Sequence, residues 1–448
     1  MFDKILIANR GEIAVRIIRT CREMGIRTVA VCSDVDKNSL HAQLADESVC
    51  IGPYRAKDSY LNMERILSAA IQTHSQAIHP GFGFLSENSK FVKLCGKCGI
   101  KFIGPDQSCI EKMGDKLEAR NIMIAAGVPV IPGTNNPIKN AKQAFELAKE
   151  IGFPVIVKAV HGGGGKGMRI VMDASEFDTM FETAKKESKN AFDSEEMYIE
   201  KYLTNTRHIE FQILGDSFGN VIHLGERDCS IQKRNQKMIE ETPSVAINEE
   251  LRQKMGDTAV KAAKAVNYNS AGTIEFLLDE NYNYYFMEMN TRIQVEHPVT
   301  EMVTGTDLIK EMINISLGKE LSLKQEDVVF SGHAIECRIN AEDPDNCFMP
   351  CPGTITDMHF PGGNGIRIDS ALFRGYEIPA CYDSMIAKLI VHGRTREDAI
   401  NKMRSALGEM VIQGVKTNID FHYAVMSEKE FADGDFEKIN ESLKERCC

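Results

Sequence analysis

The sequence predicts a multidomain protein of mixed α/β and α+β class, and three observations carry that prediction. The opening alternates strand, helix and strand between Lys4 and Cys32. A glycine-rich stretch in the middle lies between two strand patterns rather than at the head of a helix. The final third mixes short strand patterns with two amphipathic helices. A length of 448 residues accommodates two to four domains with large cores. Boundaries are placed near 113 and 330, which divides the chain into 1–113, 114–330 and 331–448.

Lys4–Ala8 (KILIA) reads as a buried strand, and Glu12–Met24 as a helix with Ile13, Ile17, Ile18 and Cys21 inward. Thr28–Cys32 returns as a strand, so the opening is a βαβ unit and implies a parallel sheet. Ile71–His79 and Lys101–Ile103 continue the alternation. Asn9–Glu12 (NRGE) lies where a doubly wound sheet places its ligand turn but lacks G-x-G-x-x-G. His79–Asn88 (HPGFGFLSEN) reads as a strand-end loop, either a tight structural turn or part of a site.

An amphipathic helix over Met113–Ala126 carries Lys116, and Val128–Gly133 reads as strand or linker. In Val155–Ala159 the apolar alternation leaves Lys158 on one face. Gly162–Gly167 matches G-x-G-x-x-G as a string, yet Met168–Met172 is strand-like, which predicts a β-loop-β flap. Gly167 follows Lys166 where a Walker A loop needs Ser or Thr. Backbone N–H groups approach phosphates closely where no Cβ intervenes, so flap and lysine together suit phosphate contact.

Met197–Leu203, Arg207–Leu214 and Asn220–Leu224 read as strands. Arg227, Lys233, Arg234 and Lys237 make the next segment basic, with Gln232 and Asn235 among them. It reads as a solvated basic loop, with a second anion site as its competitor. After a helix over Leu251–Val266 come two strands, Gly272–Asp279 and Tyr284–Asn290, joined by Glu280–Asn283. A hairpin would set Glu275 beside Glu288. Strict alternation puts Phe286, Glu288, Asn290 and Arg292 on one face and Met287 and Met289 on the other. Facing carboxylates repel unless a cation or proton lies between them, and Mg²⁺ on one or two carboxylates is the commonest such arrangement. Asp307–Leu317 reads as a helix and Ser322–Val329 as a linker. Strands at His333–Ile339, Thr354–Met358 and Ser384–Val391 follow, with helices at Arg396–Glu409 and Phe421–Met426. His333–Asn340 (HAIECRIN) sets Glu336 and Arg338 opposite Ile335, Cys337 and Ile339.

The net charge of −11 argues against a general nucleic-acid or membrane-surface binder. No apolar run approaches the roughly eighteen residues of a membrane span. The 13 cysteines follow no disulfide framework, and the N-terminus starts directly on a strand pattern. A reducing cytoplasmic setting is expected. The pair Cys95 and Cys98 has no zinc-spaced partner pair and reads as incidental.

HGGGGKGM, HPGFGFLSEN, ERDCSIQKRNQK and TRIQVEHPVTE together resemble biotin carboxylase, an ATP-grasp family, over essentially the whole chain. The resemblance implies a Rossmann-like N-terminal domain, a central ATP-grasp domain and a C-terminal mixed domain. It implies that Lys116, Lys158, His208, the Glu200, Lys201, Tyr202 and Leu203 backbone and the Gly164–Gly165 flap hold ATP, with Gln232 and Asn235 beside them. Glu275, Glu288 and Asn290 would bind two Mg²⁺ ions, or Mn²⁺. Lys237, Arg292, Gln294 and Val295 would hold bicarbonate, with Glu296 as its base, and Arg338 would meet the ureido oxygen of biotin. The implied activity is carboxylation of biotin on a biotin carboxyl carrier protein, the first half-reaction of acetyl-CoA carboxylase in fatty acid synthesis. Carboxyltransferase subunits are the implied further partners, and a pyruvate or propionyl-CoA system is the alternative. The chain has no biotinyl motif of the M-K-M type, so biotin is expected on a separate protein.

Two positions depart from the family pattern. Asn235 stands where many members have histidine, and Asn364 where a relative has phenylalanine in its dimer contact. Arg19, Glu23 and Arg367 match, and a homodimer is expected. Other ATP-grasp ligases would not combine TRIQVEHP with HAIECRIN. A NAD-dependent oxidoreductase fails on the missing strand-to-helix context of the glycine string.

Overall fold

The computed structural model describes residues 1–160 and 167–446. Its first sheet is all parallel, in the spatial order Glu47–Gly52, Arg27–Ser33, Lys4–Ile7, Ala77–His79, Lys101–Phe102. Parallel neighbours need crossovers, and the helices Gly11–Glu23, Met63–Gln72 and Ser89–Lys97 supply them. The strand order reverses beside Lys4–Ile7, the place where such sheets open a crevice. Here Asn9 closes it: its Nδ2 donates to the carbonyls of Pro80 and Phe82, each at 2.7 Å. Gly81 has φ +62, and a Cβ there would lie 2.8 Å from Asn9 Nδ2. HPGFGF is therefore first a tight turn, although Phe82, Gly83 and Glu87 go on to line the main cleft.

An eight-stranded antiparallel sheet forms the body of the molecule. Its order is Tyr284–Asn290, Ala271–Leu278, Arg207–Gly215, Val221–Lys233, Gln236–Thr242, His333–Asn340, Met385–Gly393, Ile366–Ser370. Strands from both sides of residue 330 thus share one ladder, through Gln236–Thr242 and His333–Asn340. Ile335, Cys337 and Ile339 enter the core beneath the helix Arg396–Glu409, as their alternation predicts. A separate three-stranded sheet, Met168–Val171, Val155–Ala159, Met197–Lys201, carries the flap strands. Val155, Val157 and Ala159 face its core, and Lys158 lies on the opposite face toward the cleft. Gly164 and Gly165 lie outside the described residues.

Four expectations are corrected. The helix placed over 113–126 is two helices, Gln107–Gly114 and Lys116–Ala125, because Asp115 turns out of helical geometry and accepts from the N–H groups of Leu117 and Glu118. Of the two readings of Val128–Gly133 the strand falls and the linker stands, with isolated bridges from Val130 to Phe286 and from Gly133 to Glu200. Phe286 does not share a face with Glu288. Glu275 pairs with Glu288 but Phe276 with Phe286, so Met287 is an extra residue in a bulge. The alternation restarts there, leaving Phe286 and Met289 in the core.

The fourth correction concerns the basic segment, which is no solvated loop. Val221–Lys233 and Gln236–Thr242 form a hairpin closed by Arg234 and Asn235, both at positive φ (48 and 65). Two left-handed residues in a two-residue loop make the turn that matches strand twist, and asparagine tolerates that conformation better than most. Arg227 is fully buried. Its guanidinium donates to Glu210, Gln212, Thr273 and Thr300 at 2.5–3.0 Å. Each of its three nitrogens has a partner, which is what makes burial of the charge tolerable. Arg227→Met should lower stability by about 3–5 kcal/mol, the cost of breaking a buried pair. Thermal unfolding would check this, and a melting temperature within a degree or so of wild type would contradict the anchoring role.

Candidate active site

A cleft of about 2360 Å³ lies between the three-stranded sheet, the eight-stranded sheet and the loops after the parallel strands. At its floor Lys237 donates to three carboxylates: Glu210 at 2.5 Å, Glu275 at 2.9 Å and Glu296 at 2.8 Å. Burial works against the ammonium, but these three charges overcome it and hold Lys237 well above the ordinary lysine range. Burial likewise opposes ionised Glu275, yet Lys237 and His208 hold it well below the usual carboxylate range. Both Glu275 oxygens are engaged: Oε1 also accepts from Asn290 at 2.8 Å and Gln294 at 3.0 Å, and Oε2 lies 2.9 Å from His208 Nε2. Glu288, opposite Glu275, opens to the cleft. Enclosure and then the charge of Glu275 push its carboxyl upward. That shared negative charge on hard oxygens fits a divalent cation of the Mg²⁺ type.

Glu296 caps the helix His297–Thr304 and is completely buried. Its Oε1 meets Lys237, and its Oε2 accepts from Arg338 Nη2 at 3.0 Å. Against its burial, Lys237, Arg338 and Arg227 keep it ionised. Arg338 donates from Nε to Glu240 at 2.6 Å and borders the cleft. Arg292 reaches Glu87 at 2.9 Å, Gln294 Oε1 at 3.0 Å and Asn290 Oδ1 at 3.0 Å, rather than Glu296. Val295 contributes a carbonyl that accepts from Lys388 at 2.8 Å.

Toward the flap, Lys158 donates to Glu200 Oε2 at 2.6 Å, and Arg120 holds the other oxygen at 3.3 Å. Lys116 starts its helix on the cleft wall, and burial lowers its pKa. Tyr202 and Leu203 line the cleft. The Lys201 side chain instead donates to the carbonyls of Gly152 and Phe153, each at 2.9 Å. Gln232 Nε2 lies 3.1 Å from His208 Nδ1, and Asn235 reaches the cleft from its turn.

Sequence reasoning missed Glu87, Glu210, Glu240 and Lys388, all now in contact with the selected residues. Lys388 carried a usable signal: like Lys158, it is a lysine inside an apolar strand run (MIAKLIV). Glu210 and Glu240 sat on strands whose polar faces nothing local marked as buried.

Fold and cleft define an ATP-dependent ligase of the ATP-grasp class. Three family models match the chain in succession: "Biotin carboxylase, N-terminal domain" over residues 1–110, "Carbamoyl-phosphate synthase L chain, ATP binding domain" over 115–324 and "Biotin carboxylase C-terminal domain" over 336–439. Biotin carboxylase 1 of Bacillus subtilis is 57% identical over 437 residues, 97% of each chain. A biotin carboxylase–ATP-analogue complex from Campylobacter jejuni superposes with a TM-score of 0.94 at 50% identity, covering 97% of each chain. The biotin carboxylase domain dimer of Hydrogenobacter thermophilus 2-oxoglutarate carboxylase, in complex with MgADP, ADP and bicarbonate, gives 0.93 at 52% identity, over 97% of this chain and 96% of that one. The chain belongs to the biotin carboxylase family.

Lys237→Met would leave Glu210, Glu275 and Glu296 packed without their common cation. The melting temperature should drop at pH 8, by the equivalent of about 3–5 kcal/mol. The deficit should shrink as pH falls toward 5, because unpaired carboxylates then take up protons. A deficit that is flat across that range would show that Lys237 is not their counter-ion.

Proposed function

We propose that the chain carboxylates biotin borne on a carrier protein, using ATP, bicarbonate and Mg²⁺, as the first half-reaction of acetyl-CoA carboxylase. The single observation that carries this reading is Glu296: buried, ionised, and held between Lys237 and Arg338 where the carboxylate hairpin meets the C-terminal strands. The Hydrogenobacter relative, 52% identical, is in complex with MgADP and bicarbonate, and lysines, arginines and carboxylates line the cleft here. Residues 1–113, 114–330 and 331–448 would be the three domains, a division supported by the gaps between the matched models. We further propose a homodimer in the cytoplasm that works with a biotin carboxyl carrier protein and carboxyltransferase subunits. No helix among the described residues is long and apolar enough to cross a membrane.

In this reading Lys116 and Lys158 face the phosphates, and Tyr202 and Leu203 border the base. Glu275, Glu288 and Asn290 would hold Mg²⁺, which would supply positive charge to neutralise the phosphates. Lys237 and His208 now occupy the Glu275 oxygens and would have to yield part of that coordination. Bicarbonate is a poor electrophile, so it is activated by attack of its oxygen on the γ-phosphoryl group. Arg292, Gln294, Lys237 and the Val295 backbone hold it, and Glu296 accepts its proton. The resulting carboxyphosphate breaks to CO₂ and phosphate, and phosphate removes the N1′ proton of biotin. Arg338 meets the negative charge that develops on the ureido oxygen with a permanently charged donor. Asn235 presents a neutral amide where imidazole is common, beside the charged Arg234 of the same turn.

ATP hydrolysis should depend on bicarbonate and rise strongly with a biotinylated carrier, weakly with free biotin. Phosphate release that ignores bicarbonate would transfer the chain to another ATP-grasp activity. The biotinylated protein that co-purifies with it would tell an acetyl-CoA system from a pyruvate, propionyl-CoA or 2-oxoglutarate one.

Arg338→Gln should separate the two half-reactions. Bicarbonate-dependent ATP hydrolysis should persist while carboxybiotin formation falls by about a hundredfold, as expected for a donor aimed at developing charge. Parallel loss of both activities and of thermal stability would reduce Arg338 to a brace between Glu240 and Glu296.

A further inference from the structure

Beneath the segment 292–304 the eight-stranded sheet presents a buried, highly charged face. Glu336 lies on it, completely buried, and among the described residues neither of its carboxyl oxygens has a hydrogen-bond partner. Directly across the ladder stands Glu240, also fully buried. Opposed residues in antiparallel strands bring their side chains within mutual reach. Glu240 Oε1 accepts from Arg338, while its Oε2 has no partner among the described residues.

Charged groups surround the pair on every side. Arg338 extends from the same strand as Glu336, Lys237 from the strand of Glu240, Lys388 from Met385–Gly393, and Glu296 from the segment above. Glu12, Arg367 and Asp369 lie behind Lys388. The lysine is committed elsewhere: its Nζ donates to Val295 O at 2.8 Å and lies 3.2 Å from Glu12 and 3.9 Å from Asp369. Two facing carboxylates with three unanswered oxygens in a dry site cannot both stay ionised. One proton between them removes the repulsion and engages two of the three oxygens.

We propose that Glu336 is a positioning residue for Arg338: a neutral carboxylic acid that donates to Glu240 Oε2 and so fixes the carboxylate on which the guanidinium is aligned. The field places the proton on Glu336. Burial pushes it well above the usual carboxylate range, whereas Glu240, equally buried but opposed by Arg338, rises only to about 7. The first proton therefore settles on Glu336 rather than on the Glu240 carboxylate that faces Arg338, and the second oxygen of Glu240 is held rather than free to swing. The guanidinium is then anchored along its Nε–Nη2 edge, between Glu240 and Glu296, on the border of the cleft. The consequence for carboxyl transfer rests on the proposed role of Arg338 toward biotin; the proton itself does not.

Two measurements test this. The infrared difference between wild type and Glu336→Gln at neutral pH should contain the C=O stretch of a protonated carboxylic acid, lost in the variant. Glu336→Leu should lower kcat for carboxybiotin formation by about tenfold, the cost of one unanswered buried acceptor, with smaller effects on KM and on bicarbonate-dependent ATP hydrolysis. Glu336→Gln, which supplies an amide donor to Glu240, should recover most of that loss. Absence of the acid band in the difference spectrum, or a Gln variant as impaired as Leu, overturns the proposal. Should Arg338→Gln fail to separate the half-reactions, the infrared band still decides whether Glu336 carries the proton.

Discussion

Lys237 is shared by three buried carboxylates, and the cleft depends on that sharing. Glu210 comes from the strand Arg207–Gly215, Glu275 from Ala271–Leu278, and Glu296 from the turn before His297–Thr304. These elements converge on one ammonium within hydrogen-bond distance. Taking so many charges out of water is costly, and a buried ion cluster is weak evidence for stability. Its value here is registry. Arg227 locks Glu210 from behind, Arg338 ties Glu296 to the C-terminal strands, and Gln294 and Asn290 complete Glu275. A slip of one residue in any of these strands would turn its carboxylate to the wrong face.

Much of this was legible in the sequence where local pattern and tertiary environment agree. Tyr284–Asn290 forms a strand over the range its alternation predicts, and the hairpin does set Glu275 opposite Glu288. Val155–Ala159 shows lysine on one face for the same reason. The bulge at Met287 was invisible, since an extra residue leaves a locally perfect alternation and only the partner strand reveals the slip. The hairpin around Arg234 was misread because charged residues in strands look like solvated loops until their partners are known. Arg227 finds its partners as much as seventy-three residues away, at Thr300. Glu240 fails to stand out for a related reason: its partner Arg338 lies ninety-eight positions away, on a strand that only the folded sheet brings beside it.

Asn235 illustrates a different kind of legibility. As a departure from the family pattern it invites a functional account, yet its backbone, at φ 65, gives a sufficient local one. It closes a two-residue turn between Lys233 and Gln236, where asparagine is at home. Lys233, just before the turn, pairs with Glu342 and lies over the ring of Phe348. The tip of this hairpin is thereby docked against the C-terminal part of the chain.

The continuity of the eight-stranded sheet has a mechanical corollary. A ladder that runs unbroken from Tyr284–Asn290 to Ile366–Ser370 behaves as one stiff plate, so the carboxylate end and the Arg338 end cannot shear past each other without breaking main-chain bonds. The compliant joint must lie elsewhere. The three-stranded sheet is tethered to the plate by the stretches 126–133 and 202–206 and latched across the gap by Arg120 on Glu200. The small lobe is therefore joined to the plate by two short stretches and one ion pair, with no ladder shared between them. The plate fixes where the chemistry takes place, and the small lobe supplies the opposite wall of the cleft.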